Sequence, residues 1–217
     1  MIDSYKTISE PSQGEFKDRG SKFLAYAFPV FTEEEWQEQL ENVKKEHFKA
    51  RHHCYAYRLG VDQNDFRAND DGEPSGTAGR PILGQIDSFE LTNVIVIVVR
   101  YFGGTKLGTS GLINAYKTCA AVALENAQIE ERLIEDVYAL DFEYHLMPDI
   151  MNALKKLDLN VIKQDFGNKG AISIAIRQSE VEKTIPQLKA MIANVHLEEE
   201  EKWEKIEGLE IDFDFTR

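Results

Sequence analysis

The sequence has little cysteine, no long hydrophobic run and a deficit of positive charge. Its two cysteines, Cys54 and Cys119, are too few for a disulfide framework or a zinc-ligand set, and they suit a reducing compartment. The first residues, Met1-Ile2-Asp3, do not begin an apolar signal segment, and no apolar run approaches the length of a membrane span. We therefore expect a cytoplasmic protein without a membrane partner.

The charge deficit is uneven along the chain. The 217 residues carry a net charge of -13, of which -5 lies in the part that ends at Ile134 and -8 in the rest. Between Lys44 and Arg58, by contrast, five cations face the single acid Glu46. The protein as a whole should not be attracted to a polyanion, so any nucleic-acid binding must rest on a local patch. No DNA-specific motif is present.

The stretch that organises the chain begins at Val94–Val99, six consecutive β-branched residues that predict a strand buried on both faces. A loop with four glycines in nine residues, Gly103–Gly111, follows it. A helix is predicted over Leu112–Ala127, with Thr109 or Ser110 as its N-cap. Such a loop can present backbone N–H groups to an anion, or its glycines can simply permit a tight turn and close packing.

Upstream, the pattern predicts short strands and two helices. Thr32 should cap the first helix with Glu35 as its reciprocal partner, and Thr77 should cap the second. The strands are predicted at Lys6–Ser9, Glu15–Lys17, Lys22–Phe31, His52–Gly60 and its hairpin partner Asn64–Ala68.

A new pattern begins near Glu130–Glu135, with the element order β-α-β-β-α-β of a ferredoxin-like unit. Pro148 suits the first turn of its first helix, and Ser179 should cap the second, where Pro186 would cause a kink unless Thr184 is the true cap. The strands are predicted at Val137–Tyr144, Leu159–Asp165, Ala171–Arg177 and Leu209–Phe215. We therefore predict an α+β protein with two domains, residues 1–134 and 135–217.

Two clusters of reactive side chains have ordinary explanations. Cys54 follows His52 and His53, but neighbouring strand residues point to opposite faces and no acid is placed to orient His52. The acidic turn at Asp70–Glu73 lacks the spaced oxygen ligands of a calcium loop. We interpret the first as a basic strand edge and the second as a solvated turn, and we predict no catalytic residue, metal or cofactor.

Three segments together resemble the signature of the YigZ/IMPACT family. They are RHHCYAY at Arg51–Tyr57, DDGEPSGTAGRP at Asp70–Pro81 and VRYFGGTKLG at Val99–Gly108. The resemblance covers nearly the whole chain. It implies an N-terminal domain of the ribosomal-protein-S-five domain-two-like fold, similar to domain four of elongation factor G, and a C-terminal ferredoxin-like domain similar to domain five. The residues of the family-motif loop are Asp71, Gly72, Glu73, Pro74, Ser75, Gly76, Thr77, Gly79 and Pro81.

Those relatives contact the ribosome and RNA. The eukaryotic IMPACT members regulate translation in the stress of amino-acid starvation by competing for a kinase activator, and they carry an additional N-terminal module, so that partner is not transferred to this sequence. With this resemblance, and without a convincing general base or metal-ligand set, we predict a non-enzymatic, translation-associated protein whose first domain binds RNA, a ribosomal surface or a regulatory protein.

The candidate contacts to RNA lie in all three of these segments and in the residues next to them. Tyr101 or Phe102 is predicted to stack on an unpaired base. The predicted phosphate contacts are Arg51, His52, His53, Arg58, Arg80, Arg100, Gly103, Gly104, Thr105, Lys106, Gly108, Thr109 and Ser110.

The alternative function is a nucleotide-phosphate-binding protein or enzyme that uses the Gly103–Gly111 loop, with Asp71 or Glu73 holding a metal or acting as a base. The loop is not a Walker A motif, but residues 107–112 resemble the glycine-serine loop of small-molecule kinases related to galactokinase and homoserine kinase.

Overall fold

The structure, a computed structural model, describes residues 3–217, which form two compact units. The first unit comprises Tyr5–Arg132, and the second comprises Leu133–Arg217 with the described residues up to Ser4. Helices and strands are mixed in both units, as the predicted α+β class requires. None of the described helices combines the length and apolar character needed to cross a membrane.

The first unit is built on a five-stranded antiparallel sheet with the strand order β2-β3-β6-β4-β5, and β1 pairs with β7 in a separate two-stranded sheet. Its elements are β1 (Ser4–Ile8), β2 (Ser12–Asp18), β3 (Ser21–Pro29), α1 (Glu33–Glu46), β4 (His52–Leu59), β5 (Asp65–Asn69), α2 (Gly79–Ser88), β6 (Val94–Tyr101), α3 (Gly108–Glu125) and β7 (Ile129–Leu133).

The predicted central strand is confirmed. Every residue from Val94 to Val99 is fully buried in β6, which lies between β3 and β4. Val94, Val96 and Val98 pack in the core beneath α2 and α3, whereas the intervening residues pack in a second core that includes Trp36 of α1. A continuous run of β-branched residues suits this position because both faces of the strand are covered by helices.

Helix α1 begins much as predicted. The hydroxyl of Thr32 accepts a hydrogen bond of 3.2 Å from the backbone N–H of Glu35, so Thr32 is the cap. In a standard capping box the carboxylate of Glu35 would accept from the backbone N–H of the cap, Thr32. Here it accepts instead from the backbone N–H of the preceding residue, Phe31, at 2.6 Å.

The predicted caps of the next two helices are wrong. The hydroxyl of Thr77 donates to the carbonyl of Pro74 at 2.7 Å and lies outside α2. The carboxylate of Asp70, which reaches across from the end of β5, accepts instead from the N–H groups at the start of α2. Helix α3 begins at Gly108, so Thr109 and Ser110 lie inside its first turn and the helix has no side-chain cap.

The second unit has the predicted order β-α-β-β-α-β with one additional short helix, and its four-stranded antiparallel sheet has the order β11-β8-β10-β9. The core lies between this sheet and α4 and α5. Its elements are β8 (Glu135–Phe142), α4 (Met147–Lys156), β9 (Asn160–Phe166), β10 (Gly170–Arg177), α5 (Val181–Ile192), α6 (Glu200–Trp203) and β11 (Leu209–Thr216).

Of the predictions for the helix starts in this unit, the position of Pro148 is confirmed and the cap at Ser179 is wrong. Pro148 lies in the first turn of α4, as predicted. Ser179 does not cap α5, because its hydroxyl and its backbone N–H both donate to the carboxylate of Asp3, at 2.6 and 3.0 Å. Helix α5 continues past Thr184, which is therefore not its cap, and contains Pro186 in its interior.

Candidate functional site

The family-motif loop is anchored by a buried carboxylate. One oxygen of Glu73 accepts from the guanidinium of Arg100 at 2.6 Å and from the hydroxyl of Tyr116 at 2.8 Å. The side chains of Glu73 and Arg100 are only 4% and 7% exposed, and the ring of His52 lies 4.0 Å from the same oxygen. The loop, the end of β6 and the middle of α3 are therefore held together by one acid, which corrects our interpretation of Glu73 as part of a solvated turn.

Two arginines that the sequence assigned to phosphate have their charge compensated within the protein. Arg100 pairs with Glu73 and also lies against the rings of Phe23 and Phe102, at 5.6 and 5.5 Å. Arg58 donates to a carboxylate oxygen of Asp87 at 2.6 and 3.1 Å, and also to the carbonyl of Gln63. Both residues thus have structural partners, which corrects their predicted role.

Asp70 and Asp71 are also engaged by the protein. The carboxylate of Asp70 accepts from the backbone N–H groups of Gly76, Ala78 and Gly79 at 2.8–2.9 Å. Burial alone would raise the pKa of this carboxyl group, but these hydrogen bonds outweigh burial, and the pKa lies below its usual value. Asp71 accepts from the backbone N–H of His53 at 2.6 Å. Among residues 3–217 no group of three or more side chains is arranged to hold a metal ion.

The thiol of Cys54 is buried and donates to the carbonyl of Asp70 at 3.0 Å. Burial strongly raises the pKa of this thiol, so it is held in the un-ionised form, which is a poor nucleophile. The cysteine thus serves to pack the strand against the motif loop.

A chain of buried rings occupies the opposite face of the sheet. His47 lies between the hydroxyls of Tyr26 and Tyr101, at 2.6 and 2.9 Å from its two ring nitrogens. A ring nitrogen of His53 lies 3.2 Å from the carbonyl of His47, and burial lowers the pKa of His53. His53 is therefore buried and Tyr101 packs against the core on this side, and Phe102 is the more exposed of the two predicted stacking residues.

The glycines of the loop have two different roles. A Cβ on Gly103 would lie 1.9 Å from the carbonyl carbon of Gly20, so glycine is required for the close approach of two turns. Gly104 and Gly108 have positive φ angles of 87° and 72°, and a Cβ on either would meet no atom within 4 Å. The loop is therefore open to solvent above these two residues, and the first turn of α3 contains no acid.

Four exposed cations lie near one end of the five-stranded sheet or in the loop that leaves that end after β6. We call this surface the basic end and define it by Arg19, Lys49, Arg51 and Lys106. Arg51 directly precedes the residue that pairs with Arg100. The turn that carries Arg19 packs against Gly103. The hydrogen bond between His47 and Tyr101 holds the end of α1, and with it the segment that contains Lys49, at the same end of the sheet. None of the four cations has an acid within ion-pair distance in the part of the chain that the structure describes.

The basic end also exposes two phenylalanines, Phe48 and Phe102, whose exposed fractions are 74% and 57%. Sequence reasoning did not select Arg19, Phe48 or Lys49 as contacts, because only the tertiary contacts of their neighbours bring them to Phe102. The remaining exposed members of the predicted set are Arg80, Thr105, Thr109 and Ser110, and in the motif loop Asp71, Gly72, Pro74 and Ser75.

Comparisons with known proteins agree with the motifs. The family model described as Impact N-terminal domain matches residues 19–124. The IMPACT family member YvyE of Bacillus subtilis is 38% identical over 156 residues, which are 72% of each chain. The IMPACT family member YigZ of Escherichia coli is 35% identical over 65% of this chain and 71% of its own length. A crystal structure of a hypothetical protein superposes with a TM-score of 0.70 at 30% identity, covering 89% of this chain and 93% of that one.

Proposed function

Because the chain belongs to the IMPACT family, we propose that it is a non-enzymatic, translation-associated cytoplasmic protein whose first unit binds ribosomal RNA through the basic end. One observation carries the proposal. A chain with a net charge of -13 leaves Arg19, Lys49, Arg51 and Lys106 without acidic partners at one end of one sheet. Unpaired surface cations of this kind are what phosphate contacts require.

We also propose a fold class for each of the two units. We infer that the first unit resembles domain four of elongation factor G, of the ribosomal-protein-S-five domain-two-like class, and that the second is ferredoxin-like and resembles domain five. The β-α-β-β-α-β order and the sheet order β11-β8-β10-β9 support the second assignment.

The proposed contacts to RNA differ in their position and in their chemistry. Arg51 and Lys106 neutralise phosphates from the end of the sheet, and His52 and Arg80 lie on its flank next to the motif loop. The uncapped first turn of α3, which begins at Gly108, adds backbone N–H groups. Arg100 does not touch RNA, but it fixes the strand end from which the loop departs.

The test is co-sedimentation of the protein with ribosomes at graded salt, with Arg51→Ala/Lys106→Ala compared with Lys155→Ala/Lys156→Ala, which removes two exposed lysines of the second unit. We expect the first double variant to be lost from the ribosome pellet at a lower salt concentration than the second. Equal loss from both variants, or no co-sedimentation of the native chain, would refute the proposal. Binding of a nucleotide in a screen with and without magnesium would favour the small-ligand alternative instead.

A further inference from the structure

We propose that the basic end binds unpaired RNA, with one base stacked on Phe48 and another on Phe102. This inference rests on the proposed function and specifies its ligand as a single strand. The observation behind it is that the two most exposed phenylalanines of the molecule, at 74% and 57%, flank the same cluster of unpaired cations. A cationic track interrupted by exposed aromatic rings is the common design of single-strand binding surfaces.

The ring of Phe102 is presented by a rigid support. The guanidinium of Arg100 lies 5.5 Å from the centre of this ring and is itself held by Glu73 at 2.6 Å. Since this ion pair is buried, the ring rests on a side chain that cannot rotate freely. A platform that is ordered before binding loses little conformational entropy when a base stacks on it.

Phe48 lies at the same end of the sheet but on its other side. Phe48 follows His47 at the end of α1, in the layer that covers this face of the sheet. A ring nitrogen of His47 is hydrogen-bonded to the hydroxyl of Tyr101 at 2.9 Å. Phe102 contacts Arg100, and the partner of Arg100, Glu73, also accepts from Tyr116 in the layer of α3. A ligand that reaches both rings therefore crosses the end of the sheet at which Arg51 precedes β4.

This path excludes a regular duplex. In a double helix the base faces are stacked on one another, so an aromatic side chain can reach them only after they are unstacked. Single-stranded RNA has free base faces and a backbone that can bend across the strand ends. Stacking is also tolerant of sequence, because every base has a flat face, so the site should select for strandedness more than for sequence.

The test is fluorescence anisotropy with an unpaired RNA of about twelve nucleotides, within the range of about 4–16 nucleotides that such sites cover, and with a duplex of the same sequence. We expect tighter binding of the single strand and a loss of about tenfold for each of Phe48→Ala and Phe102→Ala, as expected for one stacked base. Thermal unfolding of each variant checks that the fold is retained.

Phe66→Ala is the matched control. Phe66 is 54% exposed and lies 5.0 Å from the guanidinium of Arg58, so it imitates Phe102 in exposure and in its cationic neighbour, but it belongs to the edge strand β5. Its loss should leave binding unchanged. Phe102→Leu and Phe102→Trp separate stacking from packing, since leucine should weaken binding and tryptophan should preserve it.

The outcomes are distinguishable. If the duplex binds as tightly as the single strand, or if the three alanine variants behave alike, the stacking inference fails while the proposed RNA function stands. If neither RNA binds and the protein does not co-sediment with ribosomes, both the proposed function and the stacking inference fail.

Discussion

Glu73 and Arg100 form an ion pair of 2.6 Å in which both side chains are almost completely removed from solvent. The hydroxyl of Tyr116 completes the hydrogen bonding of the same carboxylate oxygen. A buried charge is tolerated only when it is paired and hydrogen-bonded, so each partner depends on the other. Because the pair and Tyr116 join the motif loop, β6 and α3, loss of the pair should lower the stability of the whole first unit.

The first prediction concerns this pair. We expect Arg100→Met to lower the free energy of unfolding by about 3–5 kcal/mol, because it leaves the carboxylate of Glu73 buried without its cation. Urea unfolding measures the change. The double variant Arg100→Met/Glu73→Leu should recover part of the loss, since neither charge then remains buried.

The exposed pair between Lys6 and Glu90, also 2.6 Å long, is the matched control. Glu90→Gln should change stability much less than Arg100→Met does, because water solvates the remaining charge. If both variants lose the same stability, burial is not what makes Arg100 important.

The second prediction concerns the start of α2. Asp70→Ala removes the acceptor of three backbone N–H groups and should destabilise the chain by about 1–2 kcal/mol at neutral pH. Asp70→Asn, which keeps one acceptor oxygen without the charge, should fall between the alanine variant and the native chain. Urea unfolding of the three proteins at several pH values is the measurement.

The pH dependence of this difference has a definite sign. The pKa of Asp70 is lower in the folded chain than in the unfolded chain, so the unfolded chain binds the proton first as the pH falls. The contribution of Asp70 is complete above the unfolded pKa of about 3.9. It should then disappear as the pH falls through the lower, folded value. A native-to-alanine difference that stays constant from pH 7 to pH 2 would contradict the role of the carboxylate.

The third prediction separates the loop glycines. Gly103→Ala should destabilise the chain by about 3 kcal/mol or prevent folding, since its Cβ would overlap the backbone of Gly20. Gly104→Ala should cost only about 1–2 kcal/mol, because its neighbourhood is open and only the positive φ is unfavourable. Thermal unfolding of the two variants is the comparison.

Gly84 provides the control for a glycine without either constraint. It lies within α2, its Cβ would meet no atom within 4 Å and its φ is not positive. Gly84→Ala should therefore stabilise the chain by about 0.5–1 kcal/mol. If Gly103→Ala and Gly104→Ala are equally harmful, the close packing of Gly103 is not the deciding feature.

The sequence was most informative where local pattern decides the structure. The β-branched run Val94–Val99 predicted the central strand because six such residues in succession fit a strand covered on both sides. The cap at Thr32 and the proline at position 148 were predictable because capping depends on neighbours within a few residues. The element order β-α-β-β-α-β of the second unit was also predicted, because it follows from local patterns along the chain.

Where distant residues decide, the sequence was misleading. Arg100 was assigned to phosphate because no acid lies near it in the chain, but Glu73, 27 residues away, neutralises it in the fold. Thr77 and Ser179 have the right residue type for caps, yet Asp70 takes the place of the first and Asp3 binds the second. Spacing alone cannot show which of several polar groups arrives at a helix start.

The last prediction is that RNA binding depends on salt only weakly. With a net charge of -13 the chain has no long-range attraction for RNA, so binding rests on a few short contacts. Charges beyond about 8 Å are largely screened at physiological salt, which lets the basic end act despite the acidic whole. The slope of log affinity against log salt should therefore correspond to roughly two to five phosphates.

Variants at the basic end should change that slope one contact at a time. Arg51→Gln and Lys106→Gln should each flatten it by about 0.7 for a single strand, since each removes one neutralised phosphate. Arg58→Gln should leave the slope unchanged because that guanidinium is already paired with Asp87, and so should Lys163→Gln in the second unit. Anisotropy titrations at four or more salt concentrations supply the slopes. If Arg58→Gln flattens the slope as much as Arg51→Gln does, pairing within the protein does not decide which cations contact RNA. The basic end would then not be the RNA-binding surface.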